Sequence, residues 1–183
     1  MDRQKLKELI LKVSYREGDF TLASGLKSDF YIDLKPTTLH PDGAYALGKL
    51  AVECVEKSGL KVDAVGGMTL GADPIATSVS LAAREKGYSW PAFIVRKEPK
   101  SHGTSRFIEG TENLKPGARV LVVEDVVTTG GSSLKAIQHL RDAGYEPVAV
   151  FTLVDREQGG RETFENAGLK LLPLFTIREI RQK

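Results

Sequence analysis

Apolar and polar residues along this chain follow two rhythms. Near the N-terminus, Leu6, Leu9, Ile10 and Val13 recur at the three-and-four spacing of an amphipathic helix. Beyond residue 60 the pattern changes to short, continuous apolar runs separated by helical stretches. The runs "VDAVGG" (62–67), "PAFIVR" (91–96), "ARVLVVED" (118–125) and "PVAVFTLVD" (147–155), with a last one near 170–177, predict strands. The stretches "GADPIATSVSLAAREKG" (71–87), "GSSLKAIQHLRDAG" (131–144) and "GRETFENAG" (160–168) predict helices. Pro74 lies in a first turn, and Gly87 and Gly144 stand at helix ends, the positions these residues favour. An earlier helix over 42–58 is opened by Pro41 and Asp42. Strands that are apolar throughout are buried on both faces. The chain is therefore expected to be an α/β protein, with a central, mostly parallel twisted sheet flanked by helices. Ligands in such sheets bind beyond the carboxyl ends of the strands.

Two segments stand outside this alternation. "GDFTLASGLKSDFYIDLK" has turn residues between short extended pieces and reads as a small cap of one or two strands. The second, "RKEPKSHGTSRFIEGTENLKPG" (96–117), joins two predicted strands and is of a length that compact domains rarely carry unless it is a mobile lid or binding loop. It carries Arg96, Lys97, Lys100, His102 and Arg106. A solvated surface hairpin is one reading. A cationic, mobile lid over an anionic ligand is the other.

Composition narrows the class. The 183 residues carry 27% charged side chains and a net charge of +2. This fits one globular domain over 1–183 and lacks the basic excess of a dedicated nucleic-acid binder. Cys54 is the only cysteine, so no intrachain disulfide forms, and its apolar neighbours mark it as a small packed side chain. The charged, amphipathic N-terminus is not a signal peptide. No apolar run approaches the roughly 18 residues of a membrane span. A cytoplasmic protein with neither membrane nor nucleic-acid partner is expected.

The chemistry concentrates in "VLVVEDVVTTGGSS" (120–133). An apolar strand runs into Glu124 and Asp125, then into a Thr/Gly/Ser loop that opens a helix. Unpaired N–H groups and the helix dipole make such a start an anion cradle, which glycines let a phosphate approach closely. It is neither a Walker A loop nor GxGxxG. An ordinary N-cap by Ser132 or Ser133 is the plain alternative. Two carboxylates beside a phosphate site repel the phosphate unless a sugar lies between them. Successive side chains on a strand point to opposite faces. Both acids are therefore expected to face one ligand only if the strand ends at Asp125 and turns. A ribose 5-phosphate unit fits, its hydroxyls on Glu124 and Asp125 and its phosphate on residues 128–132.

This stretch resembles the phosphoribosyl-pyrophosphate (PRPP) signature of type I phosphoribosyltransferases. "FTLASGLKSDFYID" (20–33), "RKEPKSHG" (96–103) and "LVDREQGG" (153–160) are together similar to the orotate phosphoribosyltransferases. The resemblance implies the type I fold with an N-terminal helix and hood over residues 1–40 and a mobile catalytic loop over 96–117. It implies transfer of phosphoribose from PRPP to N1 of orotate in pyrimidine synthesis, giving orotidine 5′-monophosphate and pyrophosphate. Lys100, His102 and Asp125 correspond to catalytic positions. The PRPP-binding positions are Arg96, Lys97, Lys100, His102, Glu124, Asp125, Val126, Val127, Thr128, Thr129, Gly130, Gly131 and Ser132. Orotate would meet Thr128 and Arg156, with Phe30 and Tyr31 near the pyrimidine. Mg²⁺ is implied as cofactor, held mainly through PRPP with no direct protein ligand. A homodimer is implied, with the 96–117 loop acting on the partner's site.

"GGMTLGADP" (66–74) matches the family's pyrophosphate loop but has no lysine, and Ala23 replaces a lysine of some relatives. Two rival readings share the PRPP half. In a purine phosphoribosyltransferase, Arg156 has no carboxylate to bind. A PRPP-sensing regulator without catalysis calls for a nucleic-acid module or basic face.

Overall fold

The computed structural model describes residues 2–21, 27–99 and 107–182. Helix α1 (Arg3–Val13) starts where the Asp2 side chain accepts from the Lys5 N–H at 2.9 Å. It buries Leu6 and Ile10. An antiparallel hairpin, β1 (Tyr15–Thr21) and β2 (Lys27–Ile32), forms the small cap. One turn of helix, α2 (Lys35–Thr38), follows, then α3 (Pro41–Ser58), capped by His40 and ended at left-handed Gly59.

The α/β body alternates as the apolar runs predict. Its elements are β3 (Ala64–Met68), α4 (Ala72–Glu85), β4 (Ala92–Val95), β5 (Ile108–Glu109), β6 (Arg119–Val127), α5 (Gly131–Asp142), β7 (Glu146–Asp155), α6 (Gly160–Asn166), β8 (Lys170–Thr176) and α7 (Ile177–Arg181). Six strands form one sheet in the order β5-β4-β3-β6-β7-β8. Every pairing is parallel except β4 with β5. Helices and hood pack one apolar cluster against one sheet face (Leu47, Ile75, Phe151), and α5 and α6 pack a second on the other (Ile137, Leu140, Phe164). Each such side chain contributes about 1.5–3 kcal/mol.

Three features differ from expectation. Strand β6 continues two residues past Asp125, because Val126 and Val127 keep pairing with Val154 and Asp155. Part of the 96–117 connection is ordered structure: β5 pairs back on β4, and Thr111–Asn113 form a 3₁₀ turn. The chain closes with a helix, α7, started by a capping box between Thr176 and Glu179; Thr-x-x-Glu was its sequence signal.

Candidate active site

Every polar group singled out in the sequence and described in the structure lies at or just past the carboxyl ends of β3, β4, β6 and β7. Although β6 does not end at Asp125, the two carboxylates meet, with a side-chain hydrogen bond between them. Glu124 is buried and accepts a hydrogen bond from Ser133 Oγ of α5 at 3.0 Å. Asp125 turns toward the loop between β3 and α4, where a Cβ on Gly71 would lie 2.8 Å from its Cγ. The Asp125 Oδ1 accepts from the Val126 N–H at 2.8 Å. The two carboxylates sense each other. Burial, reinforced by the charge of Asp125, pushes the Glu124 carboxyl up to about 8. The pair therefore resists carrying two negative charges at neutral pH.

The cradle follows directly. A cleft of about 250 Å³ is lined by Glu124 and by residues 126–133. Larger grooves lie beside Trp90 and Phe107, but they lack this convergence of helix start and acid. Helix α5 is not capped by Ser132 or Ser133. Its N-cap is Gly130, at φ 85° and with no side-chain cap. Ser133 instead bonds Glu124, so no serine closes the helix start. Gly130 is required on two counts: its left-handed φ, and the Phe164 ring, whose Cζ would lie 2.8 Å from a Cβ there.

Arg156 departs most from the behaviour of a surface arginine. Its backbone N–H donates to Val127 O at 2.9 Å, tying the end of β7 to the end of β6. The residue is only 8% exposed. Its guanidinium lies over the Phe30 ring, 4.5 Å from the centroid. Nε and Nη2 are buried and have no partner among the described residues. Neither neighbouring acid takes it: Asp155 faces Arg161 at 3.8 Å and Glu157 faces Arg178 at 3.3 Å. Desolvation lowers its pKa, yet guanidinium remains charged at any working pH. A buried, unpaired fork of this kind is costly unless an anion completes it. Phe30 is buried as its floor, whereas Tyr31 is exposed beside Phe20.

Thr128 and Thr129 lie on the wall of the cradle. Arg96 begins the connection after β4. Its N–H donates to Phe107 O at 2.7 Å and its guanidinium meets Glu109 at 3.2 Å. Lys97 is exposed. Lys100, His102, Arg106 and Ala23 lie outside the described residues. In the β3–α4 loop Thr69 Oγ1 donates to Asp73 Oδ2 at 2.7 Å, and Leu70 is exposed. Sequence reasoning missed Ser133 as the partner of Glu124 and Gly71 as the neighbour of Asp125. Both are small residues whose role arises only from the close approach of a helix start to β6.

Residues 38–167 match the family described as phosphoribosyl transferase domain. The chain belongs to the phosphoribosyltransferase family, in its orotate phosphoribosyltransferase branch. Orotate phosphoribosyltransferase of Nostoc sp. is 48% identical over 181 residues, covering 99% of this chain and 86% of that protein. The Aquifex aeolicus enzyme of the same name is 47% identical over 183 residues, covering 98% of each. Among solved structures, Mycobacterium tuberculosis orotate phosphoribosyltransferase in complex with PRPP superposes with a TM-score of 0.80. It is 37% identical, and the match covers 97% of this chain and 98% of that one. The same enzyme with Fe(III) dicitrate gives 0.85 at 40% identity, covering 98% of each chain.

Proposed function

We propose that this chain transfers the 5-phosphoribosyl group from PRPP to N1 of orotate, releasing pyrophosphate and forming orotidine 5′-monophosphate for pyrimidine synthesis. The observation that carries the acceptor is Arg156. Orotate is a flat ring bearing a carboxylate, and a buried guanidinium with two free donors above an aromatic floor suits such an anion. A purine has no carboxylate to offer it. The near-balanced charge weighs against a PRPP-sensing regulator.

The 5′-phosphate of the donor fits residues 128–132, where Gly130 leaves the start of α5 uncapped. The ribose hydroxyls fit against the Glu124–Asp125 pair, whose carboxylates also reach Ser133 of α5 and the loop at Gly71. The diphosphate then points toward the β3–α4 loop and the connection after β4. Arg96, Lys97, Lys100 and His102 are the basic residues on that connection assigned to the departing diphosphate, and His102 can also supply a proton. Loss of one donor to developing charge costs about 3–4 kcal/mol. As the C1–O bond lengthens, Asp125 and Glu124 face the positive charge growing on the sugar.

The donor set fits Mg²⁺. No group of three or more His, Cys, Asp or Glu among the described residues could hold a metal. Two adjacent carboxylates suit an ion that takes most of its ligands from substrate oxygens. When bound, the ion supplies positive charge to the diphosphate. Glu124 and Asp125 would hold it indirectly, by orienting the ribose hydroxyls.

We assign the active unit as a single-domain homodimer. Leu39, Tyr45, Leu70 and Leu81 are all more than half exposed. They lie on α3, on α4 or on the turns that precede these helices, where a 240 Å³ cleft opens between Tyr45 and Leu81. An apolar face of this kind favours a second copy. No helix among the described residues is long and apolar enough to cross a membrane; we assign the protein to the cytoplasm.

An acceptor panel tests the reading. With PRPP and Mg²⁺, orotate should be consumed while uracil, adenine and hypoxanthine are not. Consumption of a purine in place of orotate would transfer the chain to the rival purine class.

A further inference from the structure

The segment from the end of β3 into the start of α4, residues 66–74, carries no basic side chain, although it faces the diphosphate in the proposed donor pose. Its one charged residue is Asp73, whose Oδ1 is buried without a partner among the described residues. On that side of the diphosphate, backbone N–H groups alone face several negative charges beside a carboxylate, a balance that a further cation would improve. The structure has such a cation on another element. Lys35, at the start of α2, lines a cleft with Leu70, Asp73 and Thr77 of the loop and α4. The wall of the same cleft includes Thr38, which is 1% exposed and whose hydroxyl also has no partner among the described residues.

Lys35 is held in place. Asp33 Oδ1 accepts from its backbone N–H at 3.1 Å and from its ammonium at 2.8 Å. That pair is half exposed, so it is weak and an anion can share the ammonium. Asp33 chiefly raises the Lys35 pKa, and the charge of Asp125 adds to the rise. The ammonium therefore senses the carboxylate that faces Gly71 on the other side of the loop. Lys35, the loop and Asp125 converge on one region.

We propose that Lys35 supplies, from α2, the positive charge for the diphosphate that the β3–α4 loop itself lacks. This inference rests on the donor pose above. It gives Lys35 a binding contact to the leaving group, with Asp33 as its positioning partner. It also accounts for the two lysine departures: charge absent at residue 23 and within 66–74 is restored from a third place in the chain.

The test compares two ligands by calorimetry with Mg²⁺ present. Inorganic pyrophosphate reports the diphosphate end, and ribose 5-phosphate reports only the sugar and cradle. Lys35→Gln should weaken pyrophosphate about tenfold, the loss of one hydrogen bond to a charged group, and leave ribose 5-phosphate within about twofold. Lys35→Arg should recover most of the loss. Unchanged pyrophosphate affinity in Lys35→Gln, or equal weakening of both ligands, overturns the assignment of Lys35 alone. If the parent protein binds neither ligand, the donor pose and this inference fall together.

Discussion

At the scale of single residues, Arg156 and Glu124 carry the sharpest consequences, and both come from burial that charge alone would not predict. Arg156→Ala should raise the KM for orotate at least about 100-fold. The guanidinium loses a bidentate, charge-assisted contact worth about 3 kcal/mol or more. PRPP binding, measured separately, should stay near the parent value. Arg156→Lys should rescue little, since an ammonium cannot match the fork. Glu124 makes a pH prediction. Its folded-state pKa, about 8, lies above the ordinary carboxylate value. Below pH 4 the group is protonated folded or unfolded and costs nothing. From the ordinary value of 4.5 up to about 8 the unfolded chain has released the proton while the fold still holds it, so stability falls across that span and levels off above it. The Tm advantage of Glu124→Gln over the parent should therefore widen from pH 5 to pH 9. A constant difference across that range would mean that Glu124 ionises as freely in the fold as in the open chain.

At the scale of elements, the parallel sheet, the acid-bearing strand and the cradle were legible in the chain. Their signals are local: continuous apolar runs, and a Thr/Gly/Ser loop between strand and helix. What stayed hidden depends on long-range pairing. The end of β6 could not be placed at Val127, since valines continue a strand or begin a turn equally well until Val154 and Asp155 pair with them. The β5 strand is two residues long, too short for any periodicity. The burial of Arg156 has no local signature at all, because Phe30 beneath it comes from the distant hood. Gly71 shows how closely the elements meet. It is not in a left-handed conformation, so Gly71→Ala strains no backbone, but the new methyl must displace the Asp125 carboxylate. The expected outcome is weakened PRPP binding with Tm changed by no more than a few degrees. A large loss of Tm with PRPP affinity intact would show that Asp125 yields without consequence.

At the scale of the whole molecule, the account requires two copies. Arg156 is at the sheet's carboxyl edge, while Lys100 belongs to a connection assigned to the partner's site. Lys100→Ala and Arg156→Ala proteins, each nearly inactive, should regain about a quarter of the parent's active sites when mixed and allowed to exchange subunits. Half of the dimers are then mixed, and one site in each has both groups intact. No recovery after confirmed exchange would place the loop on its own subunit. The claim beneath all of these is that one carboxyl edge binds a phosphoribosyl donor at β6 and a carboxylate-bearing pyrimidine at Arg156. The most direct measurement follows orotate by ultraviolet absorbance together with released pyrophosphate, in PRPP with Mg²⁺ and again with chelator. The account predicts equal loss of orotate and gain of pyrophosphate, abolished by chelator. Unchanged absorbance under both conditions, or pyrophosphate released without orotate consumed, would contradict it.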